Sequence, residues 1–353
     1  MASIEKIKSE EEDQELEVTI YKIANYPADF TLKGLYDKWK DNEILIPSFQ
    51  RKFVWTLSQS SKLIESFLLG LPVPSIFLYK EKESQKLLVI DGQQRLKTVF
   101  GYFDNLFPDT KKTFYLKNVN LKWEGKSFSD LDEADKRRLK DSVLRAVIVE
   151  QLDPKDNTSI FHIFKRLNTG GTILRPQEIR NCIYQGKFSD LLIELNKKNE
   201  WREIIGLPKS DKRMRDVELI LRFFALSYEY KRYKKSMKDF LSNFMDRHSN
   251  DENKINEFRI FFEKTVSAIY QKLGPNLFRI KRGLSATILD SVMVAFALNL
   301  ENIPEDIKSR YKQLLDDNPN NSYIKYIYES TTDEKVVRRR IELACEKLFG
   351  VSK

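Results

Sequence analysis

A chain of 353 residues with 41% apolar and 12% aromatic side chains can bury a sizeable core and has room for two domains, which excludes a disordered chain. Its net charge of +9 is uneven, because residues 1–17 hold seven acids against two lysines and the rest carries the basic excess. That excess suits a polyanionic partner such as nucleic acid or a nucleotide, and equally a solvated basic surface.

Residues 1–17 read as an acidic, disordered or frayed leader rather than a signal peptide. Residues 18–152 mix strand and helix signals. Glu43 to Pro47 reads as a short strand. Ser58 to Leu69 reads as a helix, with Ser58 as N-cap and Gly70 just past its end. Ser75 to Tyr79 and Lys86 to Ile90 read as strands of a hairpin. An Asp91 turn then opens a helix running to Phe103. Thr113 to Leu116 and Val119 to Trp123 are further strand candidates. Ser129 starts another helix, and Val143 to Val149 is a last apolar strand. This is an α+β domain with a small sheet. The boundary is expected at Asp153 to Asp156. From Thr158 onward, helical periods follow at 158–167, 177–185, 188–199, 214–230, 236–247, 252–272, 285–300, 305–316 and 332–348. Residues 153–353 therefore read as an all-α domain.

Three constellations carry chemistry. The first is Val89 to Val99, where an apolar strand feeds an Asp-Gly turn and a helix start. Unpaired backbone N–H groups and the helix dipole converge at such a point. Leu96, Val99, Phe100 and Phe103 follow core spacing, while Asp91, Gln94, Arg95 and Thr98 share another face. Arg95 can fork onto a phosphate, and the Asp91 carboxylate can hold Mg²⁺ or position a water. Asp91 with Gln94 three residues on also fits a capping box. Both readings stand, and they are compatible.

The second is Ile46 to Trp55, which places Gln50 and Arg51 between aromatics. A stacking surface and a loop pinned by Phe53 and Trp55 both fit. The third is Phe164 to Thr172, where Asn168-Thr169-Gly170-Gly171 reads as a helix stop, and Lys165, Arg166 and Asn168 could also face a phosphate.

There is no Gly-x-x-x-x-Gly-Lys-[Ser/Thr] loop. His162 and His248, the two histidines, cannot build a His-rich metal nuclease site. Cys182 and Cys345 lack Cys-x-x-Cys spacing and read as reduced thiols. No stretch approaches the roughly 18 apolar residues of a membrane span, so a soluble cytoplasmic protein is expected. Basic clusters occur at Lys212 to Arg215, Lys231 to Lys235 with Tyr230 and Tyr233 interleaved, Arg279 to Arg282, and Arg338 to Arg340. Each suits either a phosphate backbone or a solvated helix face.

Taken in order, Pro-x-x-Gln-Arg-x-x-x-Trp at 47–55, Ile-Asp-Gly-Gln-Gln-Arg-Leu at 90–96, and Phe-x-Arg-Leu-Asn-x-Gly-Gly at 164–171 with Glu-Ile-Arg-Asn at 178–181 resemble the N-terminal domain of GmrSD-type restriction endonucleases. The resemblance spans about residues 20–185. It implies a ParB/sulfiredoxin-like core in residues 18–152 and a role in bacterial defence against foreign DNA. In that family the Asp-Gly-Gln-Gln-Arg loop is linked to nucleotide binding and hydrolysis that regulates DNA cleavage. Carried over, Asp91, Gln94 and Arg95 are catalytic, with Asp91 also the metal site. Gly92, Gln93, Thr98, Gln50, Arg51, Arg166 and Asn168 bind an NTP, with Mg²⁺ as companion ion. Lys97 stands where the family usually has Thr, which leaves Thr98 as the hydroxyl. Full enzymes of this type add a His-Asn-His nuclease domain, which two histidines do not supply. The expectation is a regulatory module acting with DNA and a separate nuclease. The rival reading is a DNA-binding sensor or adaptor without turnover, using Lys231, Arg232, Lys234 and Lys235.

Overall fold

The structure is a computed structural model and describes residues 22–46, 53–81, 84–110, 112–152, 163, 175–211, 213–280, 283–316 and 321–351. Contacts divide the chain into two compact units, one within residues 19–174 and one built from residue 175 onward. The acidic leader and the boundary expected at Asp153 to Asp156 lie outside the described residues.

The first unit is built on a mixed five-stranded sheet in the order β1-β5-β3-β4-β2. Its strands are β1 (Ile23–Thr31), β2 (Ile44–Leu45), β3 (Ile76–Lys80), β4 (Leu87–Asp91) and β5 (Val143–Gln151). The expected hairpin is present as antiparallel β3 and β4, with Phe77 opposite Asp91. β5 runs parallel to β3, and β1 runs antiparallel to β5 at the edge. Pro27, which has no N–H to give a second neighbour, sits in that edge strand.

Helices that accompany the sheet among the described residues include α1 (Leu32–Lys40), α2 (Leu57–Leu69), α3 (Gln93–Phe103) and α4 (Glu133–Asp141). Ile76, Leu78, Val89, Ala146 and Ile148 from one sheet face join Leu35, Ile64, Phe67, Leu96, Val99 and Phe100 in one core. Tyr79, Leu88, Ile90 and Val149, which alternate with them, are buried too. Burial pushes the Tyr79 phenol up to about 12. A continuous apolar run such as Leu87 to Ile90 is what a strand buried on both faces requires.

Several boundaries differ from the sequence expectation. α2 is capped by Thr56 in a capping box with Gln59, not by Ser58. α4 starts after Asp132, whose carboxylate accepts the Asp135 N–H, rather than at Ser129. Residues 113–116 and 119–123 form no strand beyond a single bridge at Thr113. Phe114, Leu116 and Trp123 fill the core from irregular backbone, so their apolar signal marks burial and not extension. Trp123 Nε1–H donates to Asp135 at 2.7 Å. Burial would raise the Asp135 carboxyl, but Lys122 and that indole N–H outweigh it and hold it below its ordinary value.

The second unit is helical, with a two-residue ribbon (Arg279–Ile280 with Gly283–Leu284). Its helices are α5 (Pro176–Ile183), α6 (Lys187–Leu195), α7 (Asn199–Ile205), α8 (Arg215–Glu229), α9 (Met237–His248), α10 (Glu252–Leu273), α11 (Ala286–Ala297), α12 (Ile307–Leu314), α13 (Ser322–Tyr328) and α14 (Glu334–Phe349). The helix expected at 188–199 ends at Leu195, and a separate α7 buries Trp201. α13 has no counterpart in the sequence reading. α11 is buried over eleven consecutive residues and is the centre of this unit. His248 packs against Phe244 and Phe258, and burial lowers its pKa. No helix among the described residues is long and apolar enough to cross a membrane.

Candidate functional site

β4 delivers its last residue, Asp91, to the start of α3. Gly92, at φ 101°, takes the N-cap position, and no side chain caps the helix. The capping box readable in the sequence is therefore not formed. Asp91 is spent as a strand residue, and Gln94 turns elsewhere. The first-turn amides of α3 keep the positive end of the helix dipole without a capping side chain.

Gly92 is required there for two reasons. Its φ lies in the left-handed region that β-carbons disfavour. A Cβ would also fall on Ile76 Cγ2 and lie 2.8 Å from Ile76 Cβ, because α3 starts hard against β3.

Asp91 and Arg95 pair across one helical turn. Arg95 Nη2 donates to Asp91 Oδ2 at 3.0 Å and to the Ser75 carbonyl at 3.3 Å. The Asp91 side chain is 45% exposed and that of Arg95 16%. The guanidinium is therefore held by the sheet while the carboxylate faces outward. Arg95 Nε is buried without a hydrogen-bond partner among the described residues. Asp91 Oδ1 has no partner among the described residues.

Gln94 Oε1 accepts the N–H of Val54 at 3.0 Å and of Trp55 at 3.4 Å. Phe53 N–H donates to Asp109 Oδ2 at 2.9 Å, and Lys97 Nζ lies 3.4 Å from Asp109 Oδ1. The structure thus brings the end of the second constellation onto the first. Phe53 packs edge-on against Phe107 at 5.3 Å, and Trp55 lies against the core, as a pinned loop requires. Asp109 and Ser75 were not singled out in the sequence. Asp109 follows a proline in a turn, and that is the one local signal it carries.

Gln93 is nearly buried. Thr98 is fully buried and its hydroxyl makes no hydrogen bond among the described residues, so it does not join Asp91 and Arg95 on an outward face as helical spacing had placed it. Gln50, Arg51, Arg166 and Asn168 lie outside the described residues. Among the described residues no group of three or more His, Cys, Asp or Glu is placed to hold a metal. A Mg²⁺ at Asp91 would draw its other ligands from water and phosphate oxygens, as that ion commonly does.

In the helical unit, Lys231, Arg232, Lys234 and Lys235 are exposed, but Tyr230 and Tyr233 point into the core and offer no stacking platform. Tyr233 Oη donates to the Thr332 carbonyl at 2.7 Å. Lys235 pairs with Asp333. Lys231, Arg232 and Lys234 have no ion-pair partner among the described residues. The other basic clusters are largely tied within the protein. Arg213 pairs with Glu178, Arg215 with Asp211, Arg339 with Glu342 and Glu346, and Arg340 is fully buried.

Residues 32–185 match the family model described as GmrSD restriction endonuclease, N-terminal domain. The match covers the whole of the β4–α3 turn and its supporting strands. No curated protein matches the chain.

Proposed function

From the premise that residues 32–185 are a GmrSD N-terminal domain, we propose that this chain is the nucleotide-responsive component of a restriction-type DNA defence system, acting with DNA and a separate nuclease. The β4–α3 turn is its nucleotide site. The observation that carries this reading is the uncapped start of α3 with the Asp91–Arg95 pair beside it. Phosphate oxygens satisfy the Gln94 and Arg95 N–H groups of the first turn and the spare donors of the Arg95 side chain. Mg²⁺, when bound, neutralises phosphate charge, and Asp91 is the carboxylate placed to meet it or to orient a water. Gln93 and Thr98 support the turn from within.

The test is a thermal-shift series with ATP, GTP, CTP and UTP, each with Mg²⁺, followed by phosphate release. A ligand present at about 100 times its Kd stabilises by about 2.7 kcal/mol. At least one nucleotide is expected to raise the melting temperature by several degrees. Arg95→Ala and Asp91→Ala are expected to abolish the shift, each read against the variant's own unliganded melting temperature, because the Arg95 side chain is 16% exposed and also holds the Ser75 carbonyl. A wild-type chain indifferent to every nucleotide, or variants that respond like wild type, would sink the assignment.

A second reading is DNA contact through Lys231, Arg232, Lys234 and Lys235, favoured by three exposed cations without ion-pair partners among the described residues. It predicts DNA affinity that falls steeply with salt. Each neutralised phosphate-contacting cation should flatten the log–log slope by about one. Binding should survive Asp91→Ala. Affinity independent of salt would count against it.

A further inference from the structure

Three successive backbone amides, those of Phe53, Val54 and Trp55, end on side-chain oxygens. Phe53 N–H donates to Asp109, and the Val54 and Trp55 N–H groups converge on the single oxygen Oε1 of Gln94. Lys97, three residues further along α3, lies 3.4 Å from both oxygens of the Asp109 carboxylate. The segment is thus fastened to the first turns of α3 at two points.

Two donors converging on one atom fix the orientation of the Gln94 amide. Turned over, its NH₂ would face two N–H groups and the contact would be repulsive. The carbonyl is therefore committed. Nε2, with two hydrogens to give, has no partner among the described residues. Gln94 is the second residue of α3, so this donor stands on the open turn of the helix.

We infer that Gln94 is a two-sided positioning residue, whose carbonyl clamps the 53–55 backbone to α3 and whose NH₂ donates to the anion bound at the helix start. The inference rests on the nucleotide reading above and adds a division of labour to it. Orienting a water for attack on phosphorus needs an acceptor. Gln94 has none left, whereas Asp91 Oδ1 is uncommitted among the described residues. Asp91 accepts and Gln94 donates. The clamp also couples occupancy of the site to the segment that follows Gln50 and Arg51 in sequence.

Gln94→Glu and Gln94→Ala separate the two sides. Glutamate still accepts from Val54 and Trp55 but has no hydrogen to give. Hydrogen exchange of the segment 53–57, followed by mass spectrometry on the full unliganded chain, is expected to stay as slow in Gln94→Glu as in wild type. Affinity for whichever of the four nucleotides shifts the wild type is expected to fall about tenfold or more, the usual loss for a donor to a charged group. Gln94→Ala is expected to speed exchange and weaken binding together. Gln94→Glu binding like wild type overturns the donor role, and Gln94→Ala exchanging like wild type overturns the clamp. A wild-type chain that binds no nucleotide overturns the functional reading and the donor role together. The exchange measurement, made without ligand, then decides the clamp alone.

Discussion

Gly92→Ala is expected to lower the stability of the chain by about 2–5 kcal/mol. Roughly 1–2 kcal/mol comes from forcing a β-carbon into left-handed backbone. Another 1–3 kcal/mol or so comes from overpacking. The second contribution has a named cause, because the new methyl falls on Ile76 Cγ2. Ile76 is fully buried on β3 and cannot swing aside. The measurement is a thermal melt, in which the midpoint should drop by roughly 5–15 °C for a domain of this size.

A double-mutant cycle tests the cause. Ile76→Ala alone removes core packing and costs about 2–5 kcal/mol. In Gly92→Ala with Ile76→Ala the added methyl escapes the Cγ2 contact but still lies 2.8 Å from the remaining Cβ, so only part of the overpacking is relieved and the combined loss should fall short of the sum by about 1 kcal/mol. Additive losses would show that the contact with Ile76 Cγ2 is not what requires glycine. The distinction bears on function. A helix start pressed against the sheet holds Arg95 on the Ser75 carbonyl and so aims its guanidinium.

The strand–turn–helix at this site was legible because each of its parts has a local cause. Leu87 to Ile90 is an unbroken apolar run, and Leu96, Val99 and Phe100 recur at core spacing. β1 was not legible. Its sequence from Ile23 to Thr31 contains Asn25, Pro27 and Asp29, none a strand former, and its extended state comes from pairing with β5 across the chain. The same holds within the site. The Asp-x-x-Gln spacing of Asp91 and Gln94 reads as a capping box, yet one residue of register decides the outcome. β4 runs one residue longer than the apolar pattern, Gly92 becomes the N-cap, and Gln94 is freed to find Val54 and Trp55 some 40 residues away. Nothing local encodes that contact. Likewise, alternation of Lys and Tyr from Tyr230 to Lys235 suits a stacking surface, but core packing takes both tyrosines and leaves the charges outside.

Asp290→Ala is expected to be the most damaging single change in the helical unit. Asp290 sits midway along α11 with no exposed surface. Arg222 of α8 donates to it from Nε to both carboxylate oxygens at 3.1 Å, and Arg340 of α14 lies 3.8 Å away. Removing the carboxylate leaves two buried guanidinium groups beside it without that charge, which typically costs about 3–5 kcal/mol. Arg222→Met combined with Asp290→Leu removes charge on both sides in similar volume, so it should recover a substantial part of that loss. Urea unfolding of the full chain followed by circular dichroism measures both. A loss near 1 kcal/mol for Asp290→Ala would mean that water or another group compensates the charges. The pair also bears on the exposed cations. Arg338 of α14 donates to the Tyr233 carbonyl at 2.9 Å, and Tyr233 Oη holds the Thr332 carbonyl ahead of the same helix. The short 3-10 turn with Lys231 and Arg232, and Lys234 after it, therefore ride on α14, and Arg340 of α14 lies 3.8 Å from the Asp290 carboxylate of α11. On the DNA-contact reading, loosening that contact should weaken binding through Lys231, Arg232 and Lys234 without touching a single surface cation.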